Sequence, residues 1–503
     1  MVTILGLALM VGCGETASEP GAPDDALGGQ PEVVAPPLEL APSGCEVPQD
    51  LATDPLILLS RSKYKKAHFQ DVGYESERGI IFVAGLPGLI AYQDTAGEPS
   101  VISRYPPEAL NGSKKNNRDY QHLEIVSDSL VALTNRGVKK PGQMGVHLID
   151  TTDPAQMAMW PLVTVPAAAG LVAHEGLLYV VSHEGGLYIV DLSDPDRAHE
   201  HPKLALSDLG NPWEIVTVGD RAYIADNSLG VVTVDISAPE QPTLVGVTPA
   251  SGGPQDLVAS DATLYVASGS TGVEIFDISD PDVPQKVSTV DIGGPVISVA
   301  VSGSMLYTAD HAGVGFIDVS APSAPIPLAF EETPSWAMHV SALEDRLFLA
   351  DWNALSIFEA DPQGRAPEAR LNRDEIYLVG EATQTTFELS NRGSEPLVIS
   401  GALAEDARLH VAFDRLEIAP GDTATGHVSL EAPAPDLDSA LCIATNDPDQ
   451  PLQELRVAAS SQGSSVTIGD TAPDFTLQGL DGQFFTLSQQ LGHPVILCYF
   501  ATW

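Results

Sequence analysis

Positive charge is scarce in this chain. Its 503 residues carry 24 Lys and Arg against 68 Asp and Glu, a net charge of −44. A surface of that sign repels nucleic acid and anionic membranes, so nucleic acid is not expected as a partner. Aromatic residues are also few, at 6%. Only four cysteines occur, Cys13, Cys45, Cys442 and Cys498, and no Cys or His spacing suits a metal centre. No cofactor is implied. The apolar run over 3–13 is too short to cross a membrane. What is plentiful is turn-forming residue, 44 Gly and 40 Pro, with 44% hydrophobic residues. That combination fits an all-β protein, and the length fits two to four domains.

The little basic charge there is clusters. Twelve Lys and Arg lie between Arg61 and Lys140, among nine acidic residues. The stretches "RSKYKK", "SKKNNR" and "RGVKK" suit an anionic glycan or lipid headgroup, or form a plain solvated face. His199 and His201 in "RAHEHP" offer at most a weak metal pair.

The amino-terminal run ends in "MVGC", which resembles a bacterial lipoprotein box with Cys13 as the lipidated residue. This implies a signal peptide over 1–13, a lipid anchor to membrane, and a place in the bacterial cell envelope, at the outer membrane or facing the periplasm. The following segment, 14–60, begins as an acidic Pro- and Gly-rich stretch that cannot bury a core, and reads as a tether. With Cys13 lipidated, Cys45 and Cys442 are free to pair, though nothing local specifies it; Cys442 otherwise reads as a small apolar strand residue.

The middle of the chain repeats. "GVHLIDTTDP", "GLYIVDLSDP", "GVVTVDISAP", "GVEIFDISDP" and "GVGFIDVSAP" place an Asp at 150, 191, 235, 277 and 318, in steps of 41, 44, 42 and 41. Degenerate copies at 88–97 and 354–363 bring the total to seven. Each copy supplies four short strands, as a β-propeller does, and a closed ring removes open sheet edges. The recurring Asp, followed by Ser or Thr and then Pro, reads as a side-chain-capped turn. These copies, "GLYIVDLSDP" above all, resemble the LVIVD family of bacterial surface propellers. That resemblance implies a scaffold or binding module over 61–362 and transfers no active site.

The residue that begins each innermost strand should face the channel mouth. These are Asp71, Glu124, Glu214, Asp256, Ser298 and His339, with Gly170 in the third copy. Four carboxylates around one mouth would gather a cation or a basic peptide, or form a solvated polar funnel. Trp213 and Trp336 lie beside them, either to stack on a sugar or aromatic group or to pack between blades. A protein or glycan is the expected partner, and a monomer the expected state.

Strands of a different rhythm follow over 366–462. About seven short strands suggest a β-sandwich, and "LSNRGSEPLVIS" and "IATNDPDQP" resemble Hydin-type immunoglobulin-like modules. The final segment, 466–503, runs "GDTAPDFTL", "LDGQFFTLSQQLG" and "PVILCYFATW", which resembles the start of a redoxin, a thioredoxin-like α/β domain. The resemblance implies a reactive cysteine just after Trp503, hence a truncated domain. Cys498, inside an apolar strand, should be inert. Two functions stand side by side: an envelope thiol–disulfide oxidoreductase or antioxidant redoxin whose catalytic cysteine this chain lacks, or a non-catalytic surface protein acting through its propeller.

Overall fold

The computed structural model describes residues 55–460, apart from 64–66, 87, 96–97, 107–119, 136–143, 185, 195–196, 199–202, 208, 240, 362–363 and 380–381; residue 51 and the short strands Leu38–Glu39, Thr476–Gln478 and Phe484–Thr486 are described as well. Every regular element among the described residues is a β-strand. Cys13, Cys45, Cys498, His199 and His201 and most of the basic cluster lie outside the described residues.

Repeated four-stranded antiparallel sheets form the body. Five are separate, and a seven-stranded sheet holds two further units. The two share one 18-residue strand, Ile326–Leu343, whose first half pairs with His311–Asp318 and whose second half pairs with Arg346–Asp351. The innermost strands are His68–Glu75, Tyr120–Ser127, Ala168–His174, Pro212–Val218, Asp256–Ser260, Ser298–Ser302 and the second half of Ile326–Leu343. They touch in a closed cycle, last against first. We number the units one to seven in that order.

Closure depends on a strand from before the first unit. Leu56–Lys63 pairs antiparallel with Ala354–Ala360 and becomes the outer strand of unit seven. At its end Asp361 N–H donates to the Pro55 carbonyl at 2.7 Å. Arg61 in this strand donates to Asp351 at 2.7 and 2.5 Å. The expected tether over 14–60 is therefore corrected at its carboxyl end. Ring structure begins at Leu56, because "LILL" pairs with a distant strand, which composition does not reveal.

The second strand of each unit is buried on both faces, as in Arg221–Asp226, where five of six residues are buried. Neighbouring sheets pack face to face, so continuous apolar runs such as "YIA" and "LYVA" suit this position. The turn Asp behaves as its spacing predicts. Asp150, Asp191, Asp235, Asp277 and Asp318 each accept the N–H of the residue two further on, at 2.7–2.9 Å.

Residues 369–460 form a five-stranded sheet and four strands of a second around one core of Phe387, Leu389, Phe413, Ile443, Leu455 and Val457. Phe387 lies across from Gly426, where any Cβ would sit 2.2 Å from the ring, so glycine is required there. Leu38–Glu39, also expected in the tether, pairs with Ala412 and Phe413 at the edge of this body. Cys442 is disulfide-bonded, so of the two readings open for it the disulfide holds. Arg392 joins the two bodies. It donates to the Gly293 carbonyl at 3.0 Å and lies over Phe330, 5.3 Å from the ring centroid. Its burial there depresses the guanidinium pKa to about 10.

Candidate functional site at the ring axis

One position recurs where each innermost strand meets the ring axis. It pairs with the last Ala of the second strand: Asp71 with Ala84, Glu214 with Ala225, Asp256 with Ala267, Ser298 with Ala309, His339 with Ala350. In unit two the equivalent residue is His122, whose N–H meets Thr134 Oγ1 at 3.2 Å. The expected Glu124 lies two residues deeper on the same face. A bulge between Tyr120 and Leu123 causes the offset, and repeat spacing does not show it. Unit three contributes Gly170.

Half of the expected set is withdrawn from water, while Glu124, Glu214 and His339 stay partly exposed. Asp71, Asp256 and Ser298 are buried. Three of them accept a backbone N–H from the next unit: Asp71 from Leu123 at 2.7 Å, Asp256 from Val299 at 2.9 Å, Ser298 from Val340 at 3.2 Å. Glu124 does the same a step deeper, accepting from Ala173 at 3.0 Å. Asp256 and Glu214 also accept the N–H of the following residue, at 2.7 and 3.0 Å. The polar ring thus fastens unit to unit, in a setting where an unpaired N–H would be costly.

Two histidines face two of the carboxylates. His339 Nδ1 lies 2.8 Å from Asp71 Oδ1, close but without the alignment of a hydrogen bond, and Nε2 is 4.0 Å from Asp256. His122 Nδ1 lies 2.8 Å from Glu214 Oε2. That second pair spans unit three, and Gly170 permits it. A Cβ at 170 would sit 2.3 Å from Glu214 Oε1. Burial disfavours the charged form of His339, yet the carboxylate of Asp71, then those of Asp256 and Glu214, raise its pKa to about 9. His122 is likewise raised, with burial opposing and Glu214 prevailing. Burial pushes the Glu124 carboxyl up to about 7, and that of Asp256 upward.

Above this ring lies a cup of about 300 Å³. Its wall uses the residue preceding each axial position: Gln70, Gln121, Trp213, Gln255, Ile297 and Met338. None of the glutamines stands out in the sequence. Further rings gather around His311, which follows the second strand of unit six. His311 lines the cup, and Trp336, 55% exposed, is 5.6 Å from His311 and 5.2 Å from Trp352. His68 stacks on Trp352 at 4.4 Å. Trp213 meets His183 edge-on at 4.8 Å. Trp336 thus touches a ring of unit six and a ring of unit seven and keeps more than half its surface exposed. Buried Asp226 and Asp310 hold two of the loops, Asp310 accepting from Ala312 at 3.0 Å and Gly313 at 2.9 Å.

Comparison with known proteins bears on the repeats. The middle of the chain carries LVIVD repeats. The LVIVD repeat model matches residues 167–200, 209–248, 251–292 and 293–329. The LVIVD matches cover units three to six, and the other three units have the same four-strand plan. No curated protein matches. Among solved structures, virginiamycin B lyase from Staphylococcus aureus is 11% identical with a TM-score of 0.46, covering 60% of this chain and 99% of its own. An extracellular domain described as that of a hybrid two-component system from B. thetaiotaomicron is 13% identical with a TM-score of 0.46, covering 82% of this chain; this chain spans 60% of that domain.

Outside the axis, carboxylate oxygens of Glu368, Asp447 and Asp449 lie within 4.8 Å of one another where the ring meets the second body. Asp447 already accepts the N–H groups of Ala369, Asp449 and Gln450, as a turn cap does.

Proposed function

We propose that this chain is a non-catalytic binding protein of the bacterial cell envelope, acting through the axial cup of a seven-bladed propeller. The body over 369–460 serves as an immunoglobulin-like spacer, and a lipid on Cys13 holds the whole at a membrane. The observation that carries the binding reading is the cup itself: an open cavity whose floor is a polar ring in which Asp71, Asp256 and Ser298 each accept a backbone N–H from the next unit. The pairing also argues against chemistry at the floor. The one hydroxyl in the expected set, Ser298, is buried and accepts the Val340 N–H, so it is not placed as a nucleophile.

The test uses the full chain and an envelope extract separated into polysaccharide and protein fractions. Saturable binding to one fraction is expected. Met338→Trp, which fills the cup, should remove it while leaving the melting temperature unchanged. Equal binding by that variant overturns the reading.

A second reading rests on residues 466–503. There Thr476–Gln478 and Phe484–Thr486 form an antiparallel hairpin, as "FTLQGLDGQFFTL" with its central "LDG" favours. On this reading the propeller docks a redoxin to its clients. Cys442 is in a disulfide and supplies no thiolate. The chain itself should therefore reduce neither insulin disulfides nor peroxide, and turnover abolished by Cys498→Ser would show that its chemistry lies in that segment.

A further inference from the structure

We propose that the cup takes a neutral sugar ring, the end of a glycan, stacked on Trp336 and hydrogen-bonded by glutamine amides. The proposal rests on the binding reading above and specifies its ligand. The chemistry follows from which groups are already committed. Asp71 is engaged by Leu123 N–H and His339, Glu214 by Ile215 N–H and His122, and Asp256 by two backbone N–H groups. Asp71 and Glu214 each face an imidazole and Asp256 accepts two backbone N–H groups, so each of the three carboxylates has partners within the protein. A cation or basic peptide would have to displace those partners, leaving buried N–H groups orphaned. An anion meets the same carboxylates and a chain of net charge −44.

Among the uncharged groups that line the cavity are the amides of Gln70 and Gln255. Each amide offers both donors and an acceptor, the pattern that vicinal hydroxyls match. They come from units one and five, so they converge on one volume from different sides. That volume, about 300 Å³, lies at the small end of ligand pockets, roughly 300–1,000 Å³. It admits a ring and not a folded peptide.

Against His311, which lines the cup, stands Trp336, more than half exposed and braced by Trp352 as well. An apolar face beside a polar cup suits the C–H face of a pyranose. The bracing is held at a cost. His311 and Trp352 adopt φ of 68° and 32°, while the matching loop of unit five uses Gly269 at φ 53°. A bulky residue in the left-handed region is retained where the surrounding structure enforces it, and such positions gather at ligand sites.

The experiment titrates the full chain at pH 7 with glucose, galactose, mannose and N-acetylglucosamine, and with spermidine as the cationic probe. It follows tryptophan fluorescence and calorimetry. At least one sugar should bind saturably. Trp336→Ala and Gln255→Ala should each weaken it about tenfold or more at unchanged melting temperature, and Trp336→Phe should retain most of the affinity. Silence from all four sugars up to roughly 50 mM overturns the sugar assignment, as does a spermidine response without a sugar response. If the Met338→Trp variant still loses envelope binding in either case, the binding reading survives and only its ligand changes.

Discussion

Two sets of carboxylates repeat around this ring, and they do opposite work. At the outer turns, Asp191, Asp235 and Asp277 are capped by the serine two residues on. Its side chain, and then its N–H, hold each carboxyl below the usual range. At the axis, Asp71, Asp256 and Glu124 reach across to another unit, and burial raises Asp256 and Glu124. The outer set shapes one turn at a time. The inner set ties units together, so its loss is felt by the whole ring. Local hydrogen bonds at a wet surface are replaceable by water, whereas those at the axis are not.

That contrast can be broken most forcefully at Gly170. Gly170→Val should cost more than about 3 kcal/mol or prevent folding, because its Cβ would lie 2.5 Å from the backbone Cα of Glu214. Chemical denaturation of the variant beside wild type reads the loss. Asp256→Ala comes next. It orphans the buried N–H groups of Leu257 and Val299 and should cost on the order of 2–4 kcal/mol. Asp235→Ala, its outer counterpart, should melt with wild type; an equal loss from both would erase the distinction.

Proton titration sharpens it further. The pKa of His339 is raised from about 6.5 to about 9, so its stabilisation is complete below pH 6.5 and is lost as pH climbs through 9. Between pH 7 and 10, wild type should lose on the order of 1–3 kcal/mol more than His339→Gln. Glu124 has the opposite sense. Its carboxyl is raised to about 7, so ionisation penalises the fold from about pH 4.5 upward and in full above 7. Glu124→Gln should therefore match wild type at pH 4 and exceed it at pH 8 by about 1–2 kcal/mol, with the bond to Ala173 kept.

The outer turns were legible in the sequence because everything they need lies within four residues. The four-strand rhythm was legible for the same reason, and it places the axial strands correctly. The partners across units were not. Asp71 finds Leu123 52 positions away, and His122 finds Glu214 only because Gly170 stands between them. His122 itself is hidden by a bulge that shifts the register of its strand, so repeat spacing points to Glu124 instead. "LILL" reads as the tail of a tether until its distant partner strand is known, and Leu38–Glu39 is equally silent. Cys442 sits in a strand that reads as ordinary core; a disulfide depends on a second cysteine that pattern alone does not place.

The clasp of the ring has a mechanical meaning. Leu56 pairs with Ala360 and Lys63 with Ala354, so the chain enters and leaves unit seven at the same end of one ladder. Tension applied across Pro55 and Asp361 therefore loads the inter-strand bonds one after another, like a zip, and never all at once in shear. Under load the outer strand peels first, starting from the 2.7 Å bond between those two residues, and the six other units keep their own four strands. The ring thus has a built-in yield point. It gives way at a strand whose return needs only local re-pairing, and the axial cup stands at the far edge of the sheet from where the peeling begins.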